Sequence, residues 1–271
     1  KVHWLKVDER GVVDLDELEE FIQTNADKIA LISLMWSNNE TGVLTDLRKV
    51  VELAKPHNIP VHTDAVAAFG HTDVNFFPGL TAMSLSAHKV GGPVGVGALI
   101  VSRSAKMASL QQGGGQERDI RGGTMNAPGA RAFASAARMS QTKLSTDGWA
   151  RHELLNHLTT GVTRAIPSAR FSRGSAPGVP DLAHFTFPGC SGDSMLYLFD
   201  QHNIAVSTGS ACTAGVARAS HVLLAMGRSQ EEATGTLRIS IGRDTTKEDI
   251  DGFLKVLPEV HAAALKAGLT A

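Results

Sequence analysis

The sequence has only two cysteines, one tyrosine and 5% aromatic residues, and its 26 Lys+Arg against 27 Asp+Glu leave a net charge of −1. Two cysteines, Cys190 and Cys212, make neither a disulfide framework nor a Cys-x-x-Cys metal pair and suit a reducing compartment, so any sulfur chemistry belongs to single thiols. The balanced charge gives no electrostatic reason to expect a nucleic acid or an acidic membrane surface as partner. No apolar run reaches the roughly 18 residues of a membrane span. The start, Lys1-Val2-His3-Trp4, lacks the apolar stretch of a signal peptide, and a cytoplasmic location is expected. The eleven histidines show no His-Glu-x-x-His spacing, so no dedicated metal site is expected.

What is present is an ordinary globular composition, 42% hydrophobic and 20% charged over 271 residues, enough for one large domain or two modest ones. Strand-like and helix-like segments alternate in the first part. Lys1–Val7 reads as a strand, Asp14–Thr24 as an amphipathic helix and Ile29–Met35 as a buried strand. Asp46 caps a helix over Leu47–His57, and Pro60–Thr63, Thr81–Leu85 and Val96–Val101 are further strands. That order predicts an α/β fold with a mainly parallel sheet. An Ala-rich helix over Ala127–Leu144 leads to Ser145-Thr146-Asp147-Gly148, read as a turn or hinge. Beyond it, helix Trp149–Ile166, strand Leu182–Phe187, helix Asp193–Asn203, strands Ile204–Ser207 and Thr236–Ile241, and helix Lys247–Ala267 suggest a smaller α+β domain. The expected division is a large domain over 1–147 and a small C-terminal one over 148–271.

Parallel sheets bind ligands at the carboxyl ends of their strands, and each strand here ends in polar residues. Lys89 follows one such strand. It is either a surface lysine in a turn or an amine desolvated enough to condense with an aldehyde. Asp64 ends another strand, as a helix cap or as the carboxylate that keeps a pyridine nitrogen protonated. Asn39 precedes Gly42, as turn chemistry or as a donor to a ring oxygen. Ser86 and His88 offer donors to a phosphate. Cys212, among Ser207-Thr208-Gly209-Ser210-Ala211 and Thr213, is a small buried hydrophobe or an accessible nucleophile, whereas Cys190 reads as structural. Arg238 in an apolar strand either faces solvent at an edge or captures a carboxylate. The segment Gly113–Arg118 with Arg121-Gly122-Gly123-Thr124 could cradle an anion.

Together these motifs resemble the cysteine desulfurases of the NifS/IscS type, class V aminotransferases of the pyridoxal-phosphate fold type I. The resemblance rests on Asn38-Asn39-Glu40-Thr41-Gly42, His62-Thr63-Asp64-Ala65, Ser86-Ala87-His88-Lys89, Arg121-Gly122-Gly123-Thr124, Gly209-Ser210-Ala211-Cys212-Thr213 and Leu237-Arg238-Ile239-Ser240. It implies a fold type I large domain, incomplete here, followed by a smaller α+β domain. It further implies that Lys89 binds pyridoxal 5'-phosphate, with Asp64, Asn39, Ser86 and His88 holding ring and phosphate. Thr124 would reach the cofactor of a homodimer partner. Arg238, with Asn39, would bind the carboxylate of L-cysteine, and Cys212 would take its sulfur as a persulfide, leaving alanine. A sulfur-acceptor protein for iron–sulfur assembly or thiolation would follow. The alternatives are another fold type I enzyme, a selenocysteine lyase or small-amino-acid transaminase, or an inactive scaffold or dimerisation chain. Two departures stand out: Ala67 replaces the family's usual Gln, and the family's amino-terminal portion, with a phosphate loop and a ring-stacking histidine, has no counterpart.

Overall fold

A computed structural model describes residues 1–109, 111–209 and 219–268. These fall into two compact units, one made of Glu19–Trp36 and Asp46–Thr146, the other of Lys1–Leu18, Ser37–Thr45 and the chain from Asp147 onward.

The first unit is built on a four-stranded sheet in the order β1 (Ile32–Met35), β2 (Val61–Asp64), β3 (Ala82–Ser86), β4 (Gly97–Val101). The first three strands run parallel and β4 is antiparallel to β3. The reversal follows from length, since residues 87–96 are too few for the crossover a parallel return requires. Along β2 the side chains alternate: Val61 and Thr63 are buried while His62 and Asp64 are half-buried, so both polar side chains share one face. Helix α1 (Leu15–Asn25) begins behind Asp14, whose carboxylate accepts the Glu17 N–H. Helix α2 (Leu47–Ala54) starts at Asp46, which accepts the Lys49 N–H at 3.1 Å. Its stripe Leu47, Val50, Val51 and Ala54 is buried, and the helix packs on β2. Pro56 and a left-handed Asn58 (φ 55°) end it in one 3₁₀ turn.

In the second unit β5 (Arg170–Phe171), β6 (Leu182–Thr186) and β7 (Thr236–Ser240) form an antiparallel sheet in that order. Helix α3 (Ala127–Ala165) lends it Leu155, Leu158 and Val162, and α4 (Gly192–Gln201) packs against both β7 and α7 (Lys247–Gly268). Phe199 of α4 stacks on Phe253 of α7 at 4.9 Å between ring centres. Full burial of such a ring contributes roughly 2–3 kcal/mol. Two short helices, α5 (His221–Ala225) and α6 (Gln230–Thr234), are capped by Ser220 and by a reciprocal Ser229–Glu232 box.

The α/β architecture with a mainly parallel sheet and a small antiparallel one is the expected one, with three local corrections. Lys1–Val7 is not a strand. It makes one bridge, Val7 to Val13, because the Asp8 carboxylate takes the Arg10 and Val12 N–H groups and folds the chain back at once. Ile204–Ser207 is likewise reduced to a single bridge, Ser207 to Arg238. The expected hinge at 145–148 is helical, inside the 39 residues of α3. One Gly costs a helix only about 1 kcal/mol, which the long flanking segments outweigh.

Candidate active site

In the first unit Asp64, Ser86, His88 and Lys89 gather at the carboxyl ends of two adjacent parallel strands. Asp64, the last residue of β2, stands directly opposite Ser84, and Ser86 follows two residues on, on the same face. The Asp64 Oδ1 accepts the Val66 N–H at 2.9 Å and thereby caps the turn that follows. Both meanings read for this residue are thus open to one side chain, because capping occupies a single oxygen. After β3 the chain makes a 3₁₀ turn, Ala87–Val90, closed by Gly91 at φ 81°. Ala87 and Val90 are buried in that turn and push His88 and Lys89 outward. Ser86 Oγ and His88 Nδ1 lie 2.8 Å apart. Among the described residues the Lys89 ammonium has neither a hydrogen bond nor an ion pair. Thr124 is exposed in the loop before α3. In that loop Gly122 approaches the Gly113 backbone so closely that a Cβ would lie 2.6 Å from its nitrogen.

One polar ladder on this sheet escaped the sequence reading. His62 is held between Ser33 on β1, at 2.8 Å from Nδ1, and Ser84 on β3, at 2.9 Å from Nε2. Burial keeps its pKa below the usual imidazole value against the opposing pull of Asp64. Two serines at matching positions of neighbouring strands were the signal available.

Asn39 and Arg238 belong to the second unit. The Asn38 side chain accepts the N–H groups of Glu40 and Thr41, each at 2.9 Å, and shapes the turn around Asn39. Arg238 of β7 donates from Nη1 to the Asn39 carbonyl at 3.0 Å, and Nη2 reaches Ser207 Oγ at 3.5 Å. Among the described residues its Nε is buried without a partner, so the half-buried guanidinium retains donor capacity. Opposite Arg238 in the register is His184, fully buried, whose Nδ1 lies 2.8 Å from Ser172 Oγ and whose Nε2 has no partner among the described residues. Glu40, 3% exposed, accepts the Ser220 hydroxyl at 2.5 Å. Gly209 passes between these groups: a Cβ there would lie 2.8 Å from both Glu40 Oε2 and His184 Nε2. The sequence reading assigned no role to His184 or Glu40, although each is a polar residue placed where an apolar one would be routine.

Cys212, the expected nucleophile, lies outside the described residues. Cys190 is buried at 6% exposure and donates weakly to the His261 carbonyl at 3.9 Å. Burial pushes its thiol up to about 11, which leaves it unreactive. Among the described residues no group of three or more His, Cys, Asp or Glu is placed to hold a metal ion, and no helix is long and apolar enough to cross a membrane.

A family model described as aminotransferase class-V matches residues 1–253. An IscS-like cysteine desulfurase of Mycobacterium tuberculosis (strain ATCC 25618 / H37Rv) is 42% identical over 272 residues, which cover 100% of this chain and 69% of that protein. The cysteine desulfurase NifS of Azotobacter vinelandii is 35% identical, over 96% of this chain and 64% of its own length. Among solved structures, a NifS-like protein from Rickettsia africae superposes with a TM-score of 0.86 at 30% identity, covering 95% of this chain and 69% of that one. The chain spans about two thirds of the length of these relatives.

Proposed function

This chain belongs to the class-V aminotransferase family, among the cysteine desulfurases of the IscS/NifS kind, and has part of the α/β fold of type I pyridoxal-phosphate enzymes; on that premise we propose that it carries the lysine, carboxylate and thiol of a cysteine desulfurase, which converts L-cysteine to L-alanine and keeps the sulfur on Cys212. The observation that carries the reading is the placement of Asp64 opposite Ser84 and on the face of Ser86, where Ser86 opens the 3₁₀ turn that carries an exposed lysine with no partner among the described residues.

The donor set fits pyridoxal phosphate. A carboxylate with one oxygen still free of the Val66 amide suits a pyridine nitrogen, a primary amine suits the aldehyde, and the hydroxyl of Ser86 with the imidazole of His88 suits a phosphate. Gly92 keeps the floor of that turn clear, since a Cβ there would lie 3.0 Å from the Ala87 carbonyl. When bound, the cofactor supplies an electron sink for negative charge at the substrate's Cα and Cβ.

The chain's own residues do the rest. Asp64 holds the proton on the ring nitrogen. Lys89 carries the cofactor and moves the Cα proton through its amine. Arg238, seated by the Asn39 carbonyl, would receive the substrate carboxylate with its remaining N–H groups, and by the family resemblance the Asn39 amide would be the donor to the cofactor's ring oxygen. The Cys212 thiolate attacks the substrate sulfur: an S–S bond forms, the C–S bond breaks, and its electron pair leaves with the carbon fragment that is protonated to alanine. Thr124, exposed in its loop, serves the cofactor of a second protomer, and a separate protein accepts the sulfur.

Incubation of the chain with pyridoxal phosphate tests this reading. An absorbance band near about 410–420 nm that disappears in Lys89→Ala, with a sulfur adduct on Cys212 after L-cysteine is added, is the expected result. A chain that shows no band, or a Cys212→Ala variant that releases alanine and sulfide at the original rate, overturns it.

A further inference from the structure

Glu40 is a carboxylate only 3% exposed, and an acid carried that deep needs donors to offset its lost hydration. One donor is the hydroxyl of Ser220, itself 1% exposed, which reaches Oε2 at 2.5 Å. That hydroxyl also accepts the Leu223 N–H at 3.3 Å and so caps α5. The same Oε2 borders the buried Gly209, where a Cβ would lie 2.8 Å away. His184, held by Ser172, bounds that point with its Nε2, also at 2.8 Å. Just before Gly209 the chain is pinned to β7, with N–H···O bonds running in both directions between Ser207 and Arg238. Gly209 and Ser220 flank residues 210–219, Cys212 among them, and Glu40 meets both flanks with one oxygen. Its own place is fixed by the Asn38 side chain, which accepts the Glu40 and Thr41 N–H groups. The neighbouring Asn39 carbonyl takes Arg238 Nη1.

We propose that Glu40 is a positioning residue for Cys212: its buried carboxylate staples together the two ends of the stretch bearing that thiol and registers them on the turn that seats Arg238. The inference rests on the reading of Cys212 as the sulfur acceptor. An S–S bond forms only when the thiolate lies in line with the substrate sulfur, and a misplacement of about 1 Å can cost about a hundredfold in rate. A stretch held at one end alone would spread its thiol over a wider volume and lower its effective concentration at the substrate. Holding both ends on the turn that also holds the carboxylate-binding arginine limits that spread. Capping α5 requires Ser220 alone, so it does not account for an acid buried against Gly209.

The test reads backbone amide exchange in the unlabelled chain and, separately, the spectrum of a thiol-reactive nitroxide placed on Cys212, Cys190 being buried. In Glu40→Ala, exchange at residues 207–209 and 219–223 is expected to rise together by about tenfold or more, and the nitroxide lines are expected to narrow. Glu40→Gln keeps an oxygen for the Ser220 hydroxyl; it is expected to hold exchange within about threefold of the parent and to keep the parent spectrum. Thr246→Ala removes the cap of α7 as a measure of general destabilisation, and is expected to leave both ends and the spectrum unaltered. An unchanged spectrum in Glu40→Ala overturns the proposal, as does faster exchange at one end only, or equal loosening in Thr246→Ala. Should Glu40→Ala fail to fold, Glu40→Asp, with its carboxylate one methylene short, is read in the same way. Neither measurement involves turnover. A parent chain that makes no persulfide sinks the desulfurase reading, and exchange and spectrum still decide whether Glu40 holds the two ends together.

Discussion

His184 on β6 and Arg238 on β7 stand directly opposite one another in the antiparallel register. Burial, and then the charge of that guanidinium, draws the imidazole pKa down to about 3. An unfolded His184 takes up its proton near about pH 6.5 and the folded one does not, so the unfolded state binds more protons between these values. Stability is therefore full above about pH 6.5 and falls as the pH drops toward 3, at up to about 1.4 kcal/mol per pH unit from this one group. Urea melts at about pH 5, 6 and 7.5 are expected to show the slope in the parent and a flatter one in His184→Asn. Parallel slopes would rule out His184 as the source.

Gly209→Ala places a methyl carbon 2.8 Å from both Glu40 Oε2 and His184 Nε2. Both groups are buried and neither can swing into solvent, so overpacking is expected to cost about 1–3 kcal/mol. Denaturant titration reads this directly. A loss under about 0.5 kcal/mol would mean that the chain at Gly209 yields, contrary to the tight packing described.

Iodoacetamide separates the two thiols. With its thiol raised to about 11 and its side chain buried, Cys190 presents roughly one thiolate in a thousand at pH 8. Peptide mass spectrometry is expected to find label on Cys212 well before Cys190. Early alkylation of Cys190 in the folded protein would contradict its burial.

Lys89→Ala is expected to leave the melting midpoint almost unchanged, within about 0.5 kcal/mol, because the side chain is exposed and unpaired among the described residues. The same change is expected to abolish the absorbance that the proposed cofactor would give. A large drop in stability without cofactor would assign this lysine a structural place instead.

Arg238→Lys exchanges a planar fork for a point charge. The Asn39 carbonyl, now 3.0 Å from Nη1, and an incoming carboxylate would compete for one ammonium. The half-saturating concentration of L-cysteine is expected to rise about tenfold or more, with a smaller change in turnover. An unaltered value would move substrate capture elsewhere.

Much of this was legible in the sequence because local rules and tertiary packing agree there. Asp46 before Leu47, with apolar residues at 47, 50, 51 and 54, specifies α2 and is found as such. The short runs around Val61 and Met83 specify buried strands that deliver Asp64 and Ser86 to one end. Legibility failed where distant partners decide. Ser145–Gly148 reads as a breaker, yet helical segments on either side carry it through. Lys1–Val7 has the pattern of a strand and finds only one bridge, at its last residue. Glu40 gains its meaning from Ser220, 180 residues along the chain, and His184 from Ser172, 12 residues before it, and no spacing rule announces such pairs.

In β2 the even-numbered residues, His62 and Asp64, lie on the half-open face and the odd-numbered ones inside. Shifting this strand by a single position against β1 and β3 would turn Asp64 into the greasy layer now filled by Val61 and Thr63, and expel those two into water. A misaligned sheet would thus lose its carboxylate and its hydrophobic contacts in one event. The same few residues that commit the strand to its alignment also guarantee that every correctly folded copy carries its acid outward.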